Sequence, residues 1–394
     1  MAHSKIRIMI VLVVVCGIVI TTILALQPSS APPETSIETV EQLDDFIASQ
    51  VSTHEVPGAA VSIIANGDVV WSKGYGFANV AEARPVTPDT PFMIASISKA
   101  VTSVALIQAV EEGHFGLDDD INTLLPFEVN NPRIEGEAIT PRHLVTHTSG
   151  IVDNEEVYNA SYAPGDPQIA LGDFTAGYFS PDGEWYDSQR NFADTQPGEQ
   201  YAYSNVGAAL AGYLLEATTG APLNEFSKGH LFEPLGMNNT GWFLADFPDQ
   251  DVIALPYDGK EPLEHYGYPT WPDGQLRSSV NDMGHFLAMV MNDGTWQGVQ
   301  ILQAETMNQM LEPQFPDIVK DDDEQALFWV YRSGLIGHTG GDYGTLTMMF
   351  FNPETKIGTV ILMNEAGEQS QEAIVNILRQ IALNEQTAAL FVDG

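Results

Sequence analysis

Two pairs of strand-forming segments, one near each end of the chain, constrain the fold more than any other feature of the sequence. The first pair lies within 59–75 and is joined through Asn66-Gly67, a dipeptide that favours the tight turn of a β-hairpin. The second pair lies within 345–363 and flanks the turn-forming segment 352–355. A chain that forms a hairpin at each end can join both hairpins in one sheet.

The middle of the chain has a different character. Between 117 and 270 the sequence is rich in loops with proline and glycine and shows helical periodicity, clearest in 206–218. A helix near the C-terminus carries an apolar stripe wide enough to lie on a sheet, formed by Ile374, Ile377, Leu378 and Ile381. We therefore expect an α/β (α+β) fold with one antiparallel sheet built from both termini, flanked by helices and interrupted by a helical insertion.

These patterns predict the following division of the chain. Residues 1–35 form a membrane anchor or signal segment with a linker, and 36–385 form the folded domain. Within that domain, 36–116 and 271–385 build the sheet subdomain, and 117–270 form the helical insertion. A short C-terminal tail over 386–394 follows.

The N-terminal segment predicts where the protein is located. Residues 8–26 carry no charge and follow Lys5 and Arg7, a pattern that holds the N-terminus in the cytoplasm and tethers the rest outside it. We expect a periplasmic or extracellular domain held by one transmembrane segment. The alternative is a signal peptide that is cleaved after Ala25 or Ala31.

Composition excludes some classes of function. The formal net charge is −38, from 53 acidic and 15 basic residues, whereas nucleic-acid binders need clustered Lys and Arg. The single cysteine, Cys16, rules out an intrachain disulfide. His143 and His147 have helical metal-site spacing but lack the Glu of a metalloprotease helix, so no metal and no other cofactor is expected.

The first motif with chemical meaning is Ser96-x-x-Lys99. It opens an apolar helix that ends before Gly113, and a spacing of three residues places the hydroxyl and the ammonium on one helix face. Burial would lower the lysine pKa and let a neutral amine accept the serine proton. The alternative is a Ser96 helix cap with Lys99 on a solvated face.

A second motif, Tyr203-Ser204-Asn205, precedes the helix that begins near Val206. A phenol held near a lysine can relay a proton between nucleophile and leaving group, and a neighbouring amide can orient the substrate. The alternative is a half-buried loop tyrosine followed by a capping asparagine.

The third motif is His338-Thr339-Gly340-Gly341, which we expect to open the hairpin at Thr345. Glycines there would let a substrate lie against the strand as an added edge, with a backbone N–H directed at its carbonyl oxygen. The alternative is a glycine-rich loop without a role in catalysis, which would contain the same residues.

Taken in this order, the three motifs resemble those of class C serine β-lactamases and of the related D-alanyl-D-alanine carboxypeptidases and esterases. The resemblance covers roughly residues 36–383. It implies a β-lactamase/DD-peptidase-like fold, an acyl-enzyme on Ser96, and acid and base roles shared by Lys99 and Tyr203. It further implies substrate binding by Asn205, His338, Thr339 and Gly340, with the N–H groups of Ser96 and Gly341 as the oxyanion hole.

His338 marks a departure, because typical β-lactamases carry lysine at the matching position. The His-Thr-Gly form resembles the D-peptidase and esterase branches, which implies hydrolysis of peptides with D-residues or of small esters, with weak β-lactamase activity still open. A histidine is charged only in acid unless its surroundings raise its pKa, so recognition of a substrate carboxylate through His338 would depend on pH.

Two other classes of function compete with this interpretation. A non-catalytic, membrane-held sensor of cell-wall fragments should have lost a catalytic residue, and none of the motif residues is lost. An α/β-hydrolase needs Gly-x-Ser-x-Gly, which the sequence lacks. His147 resembles a buried turn residue outside the site, and His143, His230 and His285 match no catalytic motif. The sequence does not predict an oligomeric state.

Overall fold

The computed structural model describes residues 36–318 and 324–392. The charge-free run 8–26 lies outside these ranges. Among the residues that are described, no helix combines the length and apolar character needed to cross a membrane.

Strands and helices follow the predicted order along the chain. In chain order the strands are β1 (Gly58–Ala65), β2 (Asp68–Asn79), β3 (Arg84–Pro85), β4 (Phe92–Met93), β5 (Ala163–Pro164), β6 (Tyr257–Asp258), β7 (Glu261–Pro262), β8 (Tyr266–Gly267), β9 (Arg277–Ser278), β10 (Thr295–Trp296), β11 (Val299–Gln300), β12 (Glu324–Gln325), β13 (Val330–Arg332), β14 (Leu335–Asp342), β15 (Thr345–Asn352) and β16 (Ile357–Met363). The helices are α1 (Val40–Thr53), α2 (Ile97–Glu111), α3 (Pro141–Val145), α4 (Glu155–Ala160), α5 (Leu171–Phe179), α6 (Asn205–Thr219), α7 (Leu223–Ser227), α8 (Val280–Met291), α9 (Ala304–Leu311), α10 (Glu368–Leu378) and α11 (Glu385–Val392). Short 3₁₀ or π turns occupy Ile121–Thr123, Lys228–Phe232, Leu244–Asp246, Gln250–Val252, Trp271–Asp273 and Arg379–Leu383.

One eight-stranded antiparallel sheet joins the two ends of the chain, in the order β12-β13-β14-β15-β16-β1-β2-β3. Both predicted hairpins are confirmed. β1 and β2 turn through Asn66 and Gly67, which have positive φ angles of 53° and 78°, as a tight hairpin turn requires. β15 and β16 form the second hairpin, and the pairing of β16 with β1 joins the two hairpins in one sheet.

Side chains of the central strands alternate between two apolar layers. On β1, Ala60 and Ile64 face the core that includes α2, α6 and α8, whereas Val61 and Ile63 face the core that includes α1 and α10. The predicted antiparallel sheet flanked by helices is therefore confirmed, with helices on both faces.

The C-terminal helices also pack on the sheet. The predicted apolar stripe is confirmed, since all four of its residues are buried against the sheet: Ile374, Ile377, Leu378 and Ile381. The segment expected to be a tail contains α11, whose Thr387 and Ala388 are buried.

Helix α2 lies at the centre of the larger core, because every residue from 97 to 109 is buried. Lys99 belongs to this run and is 0% exposed. A charged amine in such surroundings is costly unless nearby groups bind it, so its neighbours define the candidate site.

Candidate active site

Ser96 lies at the N-terminal end of α2 on a strained turn. The preceding Ala95 has a φ of 47°, in the left-handed region that residues with a Cβ rarely adopt. The Ser96 hydroxyl makes no capping hydrogen bond to the helix, so the alternative of a helix-cap side chain is wrong. Instead, its Oγ lies 3.2 Å from the Nζ of Lys99.

The sheet holds this turn in place through backbone carbonyls. The hydroxyl of Thr347 donates to the carbonyl of Ile94 at 2.8 Å, and that of Thr345 donates to Met93 at 2.8 Å. The N–H of Ile94 donates to Leu276 at 2.9 Å. The nucleophile segment is thus fixed by β15 on one side and by the segment before β9 on the other.

Lys99 is surrounded by acceptors. Its Nζ donates to Ser96 Oγ at 3.2 Å, to Asn205 Oδ1 at 2.7 Å and to the backbone carbonyl of Asp273 at 2.8 Å. Three acceptors match the three N–H groups of an ammonium. The alternative of a solvated surface lysine is wrong, and Lys99 is held beside the serine hydroxyl.

Tyr203 completes this group of side chains. The centre of its ring lies 4.8 Å from Lys99 Nζ, within the range of a cation–π contact. The helix cap of α6 is Ser204, whose Oγ accepts from the N–H of Gly207 at 2.9 Å, so Asn205 is free of a capping role and bonds Lys99. The structure therefore brings Ser96, Lys99, Tyr203 and Asn205 together.

Asp153 positions the second motif, and the sequence interpretation missed it. Its carboxylate accepts hydrogen bonds from the Ser204 hydroxyl at 2.7 Å and from the N–H groups of Asn205 and Val206 at 2.9 Å each. An acidic residue shortly after a Ser-Gly turn is a weak signal in sequence. Only the fold shows that it anchors the start of α6.

The third motif lies inside β14, the first strand of the β14–β15 hairpin, so the alternative of a glycine-rich loop is wrong. β13 pairs with β14 only over 335–337, so in the described residues the strand edge from 338 to 342 has no partner strand. Gly341 lines the cleft beside Ser96. At Gly340, a Cβ would lie 2.4 Å from the Ile94 carbonyl oxygen, so glycine there lets the strand approach the nucleophile segment.

His338 and Thr339 do not line the cleft. His338 is 5% exposed, and its Nδ1 lies 2.6 Å from the Thr339 carbonyl oxygen. Burial and the nearby Lys99 lower the pKa of His338 to about 3, so the ring is neutral at physiological pH. A neutral His338 would add no pH dependence to carboxylate recognition near neutral pH, and a role for His338 in substrate binding stays a prediction.

His147 lies behind Tyr203, as a buried turn residue with a φ of 57°. Its ring centre is 4.3 Å from that of Tyr203, and its Nδ1 accepts from the N–H of Ser204 at 3.2 Å. Burial holds the pKa of His147 well below its usual value, with Lys99 and His338 adding to the effect. Within the described ranges, no group of three or more His, Cys, Asp or Glu side chains has the arrangement of a metal site.

The cleft beside Ser96 encloses about 490 Å³ including its open mouth. Its walls combine the predicted site residues with tyrosines and carboxylates that sequence reasoning missed. The residues that line it are Ala95, Ser96, Tyr158, Tyr162, Asn205, Tyr268, Asp273, Gly274, Gly341, Asp342 and Tyr343. Among these described residues none is arginine, lysine or histidine.

Two of the lining residues are carboxylates with perturbed acidity. Burial raises the pKa of Asp273 to about 7, with Lys99 acting in the opposite direction. Burial also raises the pKa of Asp342 to about 6, against hydrogen bonds from the Tyr343 N–H and tyrosine hydroxyls. Perturbed carboxylates in a cleft are typical of functional sites.

Comparison with known proteins agrees with this geometry. A family model described as Beta-lactamase matches residues 43–383. Protein flp of Staphylococcus aureus (strain MW2) is 24% identical over 349 residues, which cover 86% of this chain and 66% of that protein. The chain thus spans slightly less than two thirds of the length of this relative.

Solved structures support the same family. The octameric penicillin-binding protein homologue from Pyrococcus abyssi has a TM-score of 0.67 at 28% identity, over 87% of this chain and 79% of that chain. The β-lactamase/D-alanine carboxypeptidase from Pseudomonas syringae shares the fold, with a TM-score of 0.67 at 22% identity over 86% of this chain and 99% of that chain. The three motifs, the shared fold and a family match over most of its length show that this chain belongs to the β-lactamase family, a family of serine hydrolases related to penicillin-binding proteins.

Proposed function

We propose that this protein is an acyl hydrolase that forms an acyl-enzyme through Ser96 and cleaves amide or ester bonds of small substrates. The observation that carries the proposal is the buried Lys99 Nζ, 3.2 Å from the Ser96 Oγ. A lysine held there in a desolvated position can take up the serine proton as the hydroxyl attacks a carbonyl carbon.

The hydrogen bonds of Lys99 suit this role in both protonation states. A neutral amine has two N–H groups and one lone pair. It can keep its bonds to Asn205 and to the Asp273 carbonyl while the lone pair accepts the Ser96 proton. The resulting ammonium then has three acceptors, and Tyr203 at its side can pass a proton to the leaving group.

The remaining steps use backbone groups and water. The N–H groups of Ser96 and Gly341, both on the cleft wall, would stabilise the negative oxygen of the tetrahedral intermediate. Collapse of that intermediate expels the amine or alcohol and leaves an ester on Ser96. Water then hydrolyses this ester, with the same groups moving the proton in the reverse sense.

Two substrate classes follow from the family, D-peptides of the D-alanyl-D-alanine carboxypeptidase type and small carboxylic esters. Asp273 and Asp342 line the cleft, and no cationic side chain of the described residues lines it. A substrate carboxylate would be repelled there, because like charges that share a desolvated site raise each other's energy. This observation favours the esterase alternative over a carboxypeptidase, and it disfavours efficient β-lactam hydrolysis.

Covalent labelling tests the nucleophile. A fluorophosphonate probe should label the soluble domain at Ser96, as peptide mapping will show, and Ser96→Ala should abolish the labelling. Ser98→Ala is the matched control, since Ser98 lies two residues after Ser96 and its Oγ accepts from the Leu276 N–H at 3.1 Å. Undiminished labelling of Ser96→Ala would refute the proposal.

Turnover separates the substrate classes and the non-catalytic alternative. The soluble domain should hydrolyse p-nitrophenyl esters faster than D-alanyl-D-alanine peptides or a chromogenic cephalosporin. Labelling without turnover of any of these would favour the sensor of cell-wall fragments.

We also propose that the N-terminal segment tethers this hydrolase outside the cytoplasm, on the basis of the charge-free run 8–26 after Lys5 and Arg7. Full-length protein expressed in a bacterium should sediment with membranes and be digested by protease added outside the inner membrane. A soluble form that starts after Ala25 or Ala31 would establish a cleaved signal peptide instead.

A further inference from the structure

Four tyrosines line one wall of the cleft that holds Ser96, and we call them the tyrosine cluster: Tyr158, Tyr162, Tyr268 and Tyr343. Tyr162 lies at its centre, with ring centres 4.5 Å from Tyr268 and 5.5 Å from Tyr343. Burial raises the pKa of Tyr162 and Tyr268 well above the usual value, so these phenols stay neutral. The wall therefore presents several aromatic rings and no positive charge of its own.

The hydroxyls of this cluster meet two carboxylates. Tyr158 donates to the Asp273 carboxylate at 3.2 Å, whereas Tyr268 and Tyr162 donate to Asp342 Oδ2 at 3.2 and 3.4 Å. Hydrogen bonds from a hydroxyl to a carboxylate are ordinarily about 2.5–2.7 Å long. The hydroxyl contacts are long, and in the described residues only Asp342 Oδ1 has a bond of ordinary length, from the Tyr343 N–H at 2.8 Å, so Asp342 Oδ2 and the Asp273 carboxylate can accept a closer donor.

Lys99 donates to the backbone carbonyl of Asp273 at 2.8 Å and acts on its carboxylate through electrostatic attraction, whereas, among the described residues, the charged groups that act on Asp342 include no neighbouring cation. Buried carboxylates are costly unless they are paired with a cation or neutralised. The acceptors of Lys99 are Ser96 Oγ, Asn205 Oδ1 and the Asp273 backbone carbonyl, and none of them is a carboxylate oxygen. A cation that enters the cleft could therefore form an ion pair with Asp342 in place of a bound proton.

From this geometry we infer that the tyrosine cluster, Asp342 and Asp273 form a subsite for a primary ammonium group of the substrate. The preferred acyl donors would then be amino-acyl esters and amides with a free amine close to the scissile carbonyl. The inference rests on the proposed function and names the substrate class of the same site. Aromatic faces attract a desolvated cation, and a carboxylate beside them gives it a charge-assisted hydrogen bond.

The charge of the whole protein supports the same class of ligand. A formal net charge of −38 attracts cations and repels anions over the surface, most strongly at low ionic strength. The local arrangement then selects among cations, because neutral aromatic rings and two carboxylates line the same cleft.

A matched pair of substrates tests the inference on the unmodified protein. Alanine p-nitroanilide and N-acetylalanine p-nitroanilide, each in both enantiomers, differ in the charge at the amine. For the preferred enantiomer, kcat/KM should be at least about tenfold higher with the free amine, the effect of one charge-assisted hydrogen bond. Equal values, or faster cleavage of the N-acetyl substrate, would overturn the inference.

Substitution of Asp342 tests whether this carboxylate causes the preference for the free amine. In Asp342→Asn the ratio of the two kcat/KM values should fall at least about tenfold, since the amide keeps the shape of the side chain but loses its charge. Asp45→Asn, at an exposed position of α1, is the matched control and should leave the ratio unchanged. A ratio that Asp342→Asn does not lower would place the preference elsewhere and overturn the assignment.

Absence of the ammonium subsite can be distinguished from absence of hydrolase activity. Turnover of p-nitrophenyl acetate with labelling of Ser96 reports the hydrolase alone. If no substrate is turned over, titration calorimetry with alaninamide and N-acetylalaninamide decides the same question by binding. Tighter binding of the free amine would support the subsite, and equal or absent binding would overturn it.

Discussion

Asp153 holds Ser204 through a hydrogen bond of 2.7 Å from the Ser204 hydroxyl to its carboxylate. The same carboxylate accepts from the next two backbone N–H groups, so it caps α6 at the point where Tyr203 and Asn205 project toward Lys99. Asp153 touches none of the reacting groups in the proposed mechanism. It is a positioning residue, and its effect should be measurable separately in stability and in turnover.

Asp153→Ala should lower the free energy of unfolding by about 1–2 kcal/mol, the usual effect of losing a helix cap. It should also lower kcat, because Tyr203 and Asn205 lose the contact that orients their segment. Urea denaturation and ester hydrolysis measure the two effects. Asp120→Ala is the control, since Asp120 caps a short helix through the N–H of Asn122; its kcat should not change, and an equal loss there would show that capping alone explains the result.

Lys99→Ala should lower kcat by at least about 100-fold, the usual contribution of general acid–base catalysis. It should also destabilise the fold, because Asn205 Oδ1 and the Asp273 carbonyl lose their donor in a buried site. Lys228→Ala, at an exposed lysine, is the control for removal of a positive charge. Turnover of a neutral ester by a folded Lys99→Ala at the unmodified rate would exclude Lys99 as the base.

Tyr203→Phe separates the contribution of the Tyr203 hydroxyl from that of its ring. The ring contacts with Lys99 and His147 are kept, so the midpoint of urea unfolding should change little. Without the hydroxyl as a proton relay, kcat should fall by at least about 100-fold. Tyr213→Phe on α6 is the control, and an unchanged kcat in Tyr203→Phe would remove the hydroxyl from the mechanism.

The parts of this molecule that were predictable from sequence are those with local signals. Asn66-Gly67 marks a hairpin because few dipeptides adopt the required positive φ angles, and a stripe such as Ile374 and Ile377 marks a helix face because its spacing matches the helical period. The pairing of Ser96 with Lys99 was predictable for the same reason, since both lie on one turn of a helix.

Contacts between distant segments could not be found this way. Asp342 contacts Tyr162 only because β14 ends beside the loop after α4. Neither segment carries a sequence pattern that predicts this contact. The burial of His338 likewise depends on packing around β14, so its ordinary pKa was a poor guide to its charge. Residues whose properties are set by the tertiary environment require the fold.

Asp273 makes stability depend on pH in a direction opposite to that of most carboxylates. Its pKa rises from 3.8 to about 7 on folding, so between these values the folded protein binds a proton that the unfolded chain has released. This stabilising contribution is full below pH 4 and is lost as pH rises through 7. Asp273→Asn should remove that loss.

The free energy of unfolding of Asp273→Asn, relative to the unmodified protein, should therefore increase by about 2–3 kcal/mol between pH 5 and pH 8. Urea denaturation at the two pH values measures this difference. Burial is the main cause of the raised pKa, with Lys99 opposing it and Asp153 and Asp342 adding to it. A difference that stays constant with pH would show that Asp273 titrates normally in the folded protein.

His338 supplies the last prediction, because its neutral state changes what it can do for a substrate. With a pKa of about 3, it has no charge to lose between pH 5 and pH 8. KM for a peptide ending in a free carboxylate should therefore show no inflection in this range that depends on His338. His338→Gln, which cannot titrate, should give a KM profile parallel to that of the unmodified protein, as should the control His285→Gln.

Introducing a fixed charge at this position should be harmful rather than helpful. His338→Lys would bury a second cation near Lys99 without a described acidic partner, so the free energy of unfolding should fall by on the order of 3 kcal/mol or more. Urea denaturation together with KM for the carboxylate substrate measures both effects. An inflection near pH 6–7 that disappears in His338→Gln, or tighter carboxylate binding by a stable His338→Lys, would instead show that this side chain reaches the substrate and reads its charge.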